Sequence, residues 1–160
     1  MLLIYLYPQQ KLSDTLYNMS LRRINKELKN PKYTLVKQDN LTLTWMLTCN
    51  NAMHEEPTTG LQVAAANSFD GVTLHVKIVL SAHYPFKSPN VYVMRGDTGV
   101  PVYHPCVEAE TGKVCTGTET SWTPSNTMSD LVDIAHARIM RPTTDQVLNK
   151  EAMEHFSMDY

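Results

Sequence analysis

Long hydrophobic runs, cysteine pairs and an excess of basic charge are all missing from this sequence, and each absence excludes a class of protein. The apolar stretch Met1 to Tyr7 stops at Pro8. It is far short of the ~20 residues that a membrane span needs. It also lacks a basic leader region and a small-residue cleavage site, so neither direct membrane insertion nor a secretory signal is expected. Only three cysteines occur, Cys49, Cys106 and Cys115. An odd number leaves one thiol outside any disulfide framework, and no CxxC pair is present to build a zinc ribbon. Free thiols in a reducing, cytoplasmic compartment are the expectation. The 14 Lys+Arg are outnumbered by 16 Asp+Glu, a formal charge of −2, which speaks against a nucleic-acid binder. P-loop, GxGxxG and HExxH motifs are absent, so no nucleotide or zinc-protease site is read.

What is present is the composition of one globular domain: 42% of its 160 residues are hydrophobic, enough for a core without staples. Ser13 and Asp14 are good N-cap residues, and Tyr17, Leu21, Ile24 and Leu28 then recur at helical spacing. Arg22, Arg23, Lys26 and Lys29 fall largely off that stripe and give the helix a basic outer face; Asn30-Pro31 ends it. Leu41–Thr48, Val72–Leu80 and Val91–Met94 read as strands, and Asn50 through Gly60 as a loop. From Gly96 to Ser125 periodicity disappears while glycine and proline punctuate the chain, which is the mark of a functional loop. A second helix is predicted from near Thr127 to Pro142, and a last one through Gln146 to Phe156. The order is that of an α+β fold.

Cys115 is the candidate nucleophile. It stands in Gly112-Lys113-Val114-Cys115-Thr116-Gly117, inside the irregular segment, with glycine on both sides to admit another chain close to the sulfur. Thiolate is the reactive form. Three other readings compete: a small buried apolar residue, a zinc site of His104, Cys106 and Cys115 that lacks an evident fourth ligand, and a Cys–His hydrolase. His104 reads equally as an anchor for its loop.

Taken in order, the segments His83-Tyr84-Pro85-Phe86-Lys87-Ser88-Pro89, Tyr103-His104-Pro105, Gly112-Lys113-Val114-Cys115 and Trp122-Thr123-Pro124 resemble the ubiquitin-conjugating enzymes. The hallmarks of that family are YPFxxP, HPN, Gly-x-x-Cys and W-x-P. Leu21-Arg22-Arg23-Ile24-Asn25-Lys26-Glu27-Leu28 is similar to the family's opening R-I-x-K-E-L. The resemblance implies an N-terminal extension with the start of the first helix over residues 1–19 and a conjugating core over 20–160. The implied fold is an N-terminal helix, a four-stranded antiparallel meander, a long active-site loop and C-terminal helices. Cys115 would take ubiquitin or a related modifier from an activating enzyme as a thioester, then pass it to an acceptor with a RING-type ligase, without metal or other cofactor. Arg22, Arg23 and Lys26 match the helix face that meets the activating enzyme. Phe86, Pro124 and Ser125 match the two loops that a RING domain grips.

The departures from the family pattern are specific. Cys106 occupies the position of the HPN asparagine, next to His104 and Pro105, and a thiol is a weak hydrogen-bond donor. Gly117 stands where an aspartate is common, and Asp145, after Pro142, is the candidate stand-in. The expectation is a thioester that forms but discharges slowly to free lysine. One additional residue between the HP motif and Cys115 is similar to the peroxisomal branch of the family. Members of that branch modify a cysteine of the import receptor and are held at the organelle's cytosolic face by a membrane-anchored partner. General cytosolic conjugation, and a non-catalytic variant that binds ubiquitin and partners as a scaffold, are the competing expectations.

Overall fold

Helix α1 (Leu6–Glu27) opens the chain in the computed structural model, which describes residues 6–53 and 56–158. Of its stripe, Ile24 is fully buried, Leu21 and Leu28 pack against the core, and Tyr17 lies at the rim, where its hydroxyl donates to Asn40 Oδ1 at 2.8 Å. The helix starts upstream of the expected cap, so Ser13 and Asp14 lie within it. Pro8 does not break it, because a proline in the first turn gives up an N–H that has no partner there anyway. Of the stretch Met1 to Tyr7, Leu6 and Tyr7 are helical and the rest lies outside the described residues.

Four strands follow: β1 (Thr34–Asp39), β2 (Thr42–Thr48), β3 (Thr73–Val79) and β4 (Asn90–Arg95), paired antiparallel in that order. Alternate residues Leu43, Trp45, Leu47, Leu74, Val76, Ile78, Val91 and Val93 are buried on one face, the period-2 pattern of a half-covered sheet. Strand β1 escapes the sequence reading because it is an edge strand exposed along most of its length, with a register shift between Leu35 and Lys37.

Beyond the expected loop, the β2–β3 connection contains a helix that the sequence reading does not assign. It carries a short 3₁₀ turn (Asn51–Met53) and then helix α2 (Gly60–Phe69), started by Thr59, whose hydroxyl accepts from Gln62 N. Leu61, Gln62, Ala64, Ala65, Ala66 and Phe69 are all buried. A helix covered on nearly every side has no apolar stripe, so periodicity cannot reveal it. It packs on α3 (Met128–Met140) and α4 (Lys150–Met158). Helix α3 begins where expected, with Thr127 and Asp130 forming a reciprocal capping box. Helix α4 begins later than expected, at Lys150. The amides of Leu148 and Asn149 are committed instead to the Pro105 carbonyl, at 2.8 and 3.0 Å, and the Asn149 side chain accepts from Ala152 N.

One carboxylate joins the elements around the irregular segment. Glu27 Oε1 accepts from Arg23 Nε at 2.6 Å and from the Tyr84 hydroxyl, while Oε2 accepts from Met128 N at 2.7 Å. Arg23 continues the network by donating to the carbonyls of Pro124 and Asn126, both at 2.8 Å. Burial, reinforced by the hydrogen bond to Glu27, pushes the Tyr84 phenol up from its ordinary range. Nearby, Trp122 Nε1 donates to the Pro85 carbonyl at 2.6 Å. Truncating a partner in such a network strands the others, which is the expensive case. Glu27→Ala is therefore expected to lower unfolding free energy by about 3 kcal/mol in urea titrations, and Tyr84→Phe by about 1 kcal/mol. A Glu27→Ala protein as stable as the parent would remove the network from this account.

Candidate active site

The chain before Cys115 folds back on itself and is clamped to the sheet. Val107 bridges Val114, Gly112 N donates to Glu108 O at 2.8 Å, and Glu108 N donates to Lys113 O at 2.9 Å. This small hairpin lies along β4 through Val93 N to Gly112 O (2.8 Å) and Val114 N to Val91 O (2.9 Å). Gly112 is required at its tip. Its φ is +78°, and a Cβ there would sit 2.9 Å from Met94 Cε and 3.0 Å from the Val93 carbonyl oxygen, a left-handed and crowded position that only glycine fills without strain. Past the cysteine, the hydroxyls of Thr116, Thr118 and Ser88 link at 2.8 Å each. Cys115 is thus held from both sides.

Of the three cysteines, Cys115 alone is not buried. Burial pushes the Cys49 thiol up to about 12. Cys115 opens into a cleft of about 280 Å³ lined by Glu108, Lys113, Val114, Glu119 and Leu148. Glu108, Glu119 and Leu148 are site residues that the sequence reading misses. Leu148 reaches the cleft because its amide is tied to Pro105, a contact that no local spacing announces.

His104 is fully buried. Its Nδ1 accepts from Cys106 N at 3.0 Å, and its Nε2 lies 2.9 Å from the Ile139 carbonyl, to which it donates. Burial drives its pKa down to about 4, so the ring is neutral with its proton on Nε2. Phe69 and Phe156 meet it edge-on, at centroid distances of 5.5 and 6.0 Å. With both nitrogens engaged, His104 is a strut between the loop and α3. A zinc site or a Cys–His pair that uses His104 fails for that reason, and the loop-anchor reading is the one the geometry supports.

Cys106 is fully buried as well, and burial raises its thiol. Its sulfur does not line the cleft. Gly117 has φ +70°, and a Cβ there would meet Arg138 Nη2 at 3.5 Å and Gln146 Nε2 at 3.9 Å. Asp145 is exposed, its carboxyl held below the usual range by the Thr143 side chain first and more weakly by Arg138. The side chains facing Gly117 are therefore those of Arg138 and Gln146, the latter next to the residue expected from sequence.

The two expected docking surfaces adjoin. Arg22 and Lys26 are exposed on α1, while Arg23 turns inward to Glu27, Pro124 and Asn126. Phe86 is 58% exposed, a large apolar side chain left in solvent, and Pro124 and Ser125 are exposed on the loop before α3. A groove of about 530 Å³ lined by Arg23, Lys26, Lys32, Ser125 and Thr127 runs between them.

Residues 23–160 match the family model described as ubiquitin-conjugating enzyme. The chain is also similar to ubiquitin conjugating enzyme E2 B of Dictyostelium discoideum, 23% identical over 99 residues, which are 62% of this chain and 64% of the relative, so the match spans just under two thirds of that protein. Among solved structures, ubiquitin conjugating enzyme E2 UbcA1 from Agrocybe aegerita aligns with TM-score 0.56 and 19% identity over 80% of this chain and 86% of that one. The H. polymorpha ubiquitin conjugating enzyme Pex4p, solved in complex with the soluble domain of Pex22p, aligns with TM-score 0.58 and 14% identity over 92% and 89%. At these identities the structural likeness speaks for the fold.

The His104 strut has a pH signature. The unfolded imidazole titrates near 6.5, whereas the folded one resists protonation until about 4. The unfolded state therefore binds the extra proton between those values. The contribution is fully present above pH 6.5 and is lost as pH falls toward 4, by roughly 3 kcal/mol in total. Urea unfolding at pH 7 and 4.5 should show a smaller loss for His104→Gln than for the parent, and NMR should show the parent's ring neutral at pH 5. A ring titrating near 6.5 would contradict the assignment.

Proposed function

The chain belongs to the ubiquitin-conjugating enzyme family, and on that premise we propose that Cys115 accepts ubiquitin, or a related modifier, as a thioester from an activating enzyme and passes it to an acceptor with a RING-type ligase. The observation that carries this reading is the position of one sulfur. Cys115 is the one thiol of three that is not buried, and it lines a cleft on a loop fixed by the sheet before it and by hydroxyls after it. A half-buried thiol that lines a cleft favours the enzyme over the scaffold reading.

The chemistry asks for little acid–base machinery, because a thioester is already an activated acyl group. What remains is to place the acceptor and to stabilise charge on the carbonyl oxygen. Leu148 lines the cleft, held there by the bond of its amide to the Pro105 carbonyl. Glu108 and Glu119 border it as carboxylates that attract a cationic acceptor side chain. The exposed ring of Phe86, with Pro124 and Ser125, offers a RING domain rigid apolar contact at low entropy cost. Arg22 and Lys26 offer the activating enzyme free positive charge on α1.

Recruitment to the cytosolic face of peroxisomes by a membrane-anchored partner belongs to the same proposal. Its supports are the spacing before Cys115 and the likeness to Pex4p, solved with the soluble domain of Pex22p. Among the described residues no helix is long and apolar enough to cross a membrane, so attachment through a partner suits the chain.

Incubation with activating enzyme, ATP and ubiquitin is expected to give a DTT-sensitive adduct that is abolished in Cys115→Ala and retained in Cys106→Ser. An adduct that survives Cys115→Ala would place the thioester elsewhere. Discharge of the loaded protein is expected to favour a thiol acceptor, since Cys106 supplies no donor to the cleft and a thiol needs less help than an amine. Single-turnover rates with free lysine should fall on the order of 10²-fold below those of a relative bearing the HPN asparagine. Equal rates would show that the buried Cys106 costs nothing.

A further inference from the structure

Two polar side chains beside the nucleophile's loop have no partner of their own. The guanidinium of Arg138, in the last turn of α3, makes no hydrogen bond or ion pair among the described residues. Its charge is nevertheless felt by the Cys106 thiol and the Asp145 carboxyl. The amide of Gln146 makes no hydrogen bond either, and its Oε1 is buried. The donor of that amide is its Nε2.

Both side chains converge on one spot. A Cβ at Gly117 would lie 3.5 Å from Arg138 Nη2 and 3.9 Å from Gln146 Nε2, and glycine leaves that spot open. Gly117 follows Cys115 by two positions, at most about 7 Å along the chain. Donors of two kinds thus face an empty notch next to the residue that carries the acyl group. Glu108 and Glu119, on the cleft's rim, are acceptors only and would repel negative charge on an acyl oxygen.

We propose that Arg138 and Gln146 together hold the carbonyl oxygen of the acyl group carried on Cys115, supplying hydrogen bonds that Cys106 cannot give. This rests on the thioester reading above. In transfer to an amine, the nitrogen attacks the thioester carbon, an N–C bond forms and the oxygen takes the negative charge. The intermediate collapses by breaking the C–S bond, Cys115 leaves as thiolate, and the proton lost by the amine returns the sulfur to a thiol. A guanidinium is always charged and presents several N–H donors. Its hydrogen bond to an oxyanion is stronger than to a neutral carbonyl, so the stabilisation falls mainly in the transition state.

The test uses the full chain, loaded to completion with ubiquitin by activating enzyme and ATP, then quenched and followed in single turnover with lysine and with cysteine as acceptors. Arg138→Gln and Gln146→Ala are expected to slow discharge about tenfold to a hundredfold with both acceptors, because the oxyanion is common to both. Arg138→Lys should recover part of the rate. Gln146→Glu should also be slow, since a carboxylate has no donor to offer. Melting temperatures close to the parent's would separate this from misfolding, and Arg138→Lys, the mildest change, serves where another variant fails to fold. Unchanged discharge in folded, loaded variants would overturn the proposal. So would slowing with lysine alone, which would make these acceptor-binding residues, or faster lysine discharge in Gln146→Glu, which would call for a base there. A parent protein that never loads would overturn the thioester reading itself, a result visible before any discharge is measured.

Discussion

A carboxylate taken partly out of water must be surrounded by donors, and Glu27 meets that demand by drawing three separated segments together. Arg23 comes from its own helix, the Tyr84 hydroxyl from the β3–β4 connection, and the Met128 amide from the start of α3. Arg23 and Tyr84 belong to two separate sequence motifs, and Met128 opens α3. Arg23 then extends the clamp to Pro124 and Asn126, so the loop before α3 is fastened to α1. The long irregular segment can lack regular structure because its two ends are tied down here and on the sheet edge.

A second clamp fixes the middle of that segment. His104 gives its Nε2 proton to Ile139 and takes the Cys106 amide on Nδ1, while the Pro105 carbonyl receives two amides from the approach to α4. Two adjacent residues, His104 and Pro105, thus bind the loop to α3 and to the segment before α4. Position 106 is consequently drawn into the interior, where a small apolar side chain such as cysteine is at ease. The same tether explains why that side chain is withdrawn from the cleft: the backbone N–H is committed to the histidine, and the sulfur follows it inward.

Particular residues show what the sequence could and could not reveal. Helix α3 was legible because its apolar stripe and its Thr127 cap are both local signals. Strand β3 was legible because one of its faces is buried and the other is not. Helix α2 was hidden by its burial on nearly all sides, and β1 by its exposure along most of its length. In the site, the resemblance pointed to Cys115, and its neighbourhood of glycines marks a close approach that the Gly112 geometry makes concrete. Glu119, Arg138 and Gln146 carried no signal, since the fold alone brings them near the loop of Cys115.

Helix α2 bears on the site more than its position in the chain suggests. Its last residue, Phe69, stacks on Phe156 of α4 at 6.3 Å and meets His104 edge-on. The helix interposed between two strands of the meander therefore supplies one of the aromatic walls that keep His104 dry and neutral. Desolvation is what holds that imidazole uncharged, and only an uncharged imidazole can accept the Cys106 amide. The interposed helix, the histidine strut and the course of the loop toward Cys115 form one physical chain. Loosening α2 would admit water to His104, and protonation of Nδ1 would release the loop two residues away. The interruption of the meander is thereby built into the support of the loop that carries Cys115.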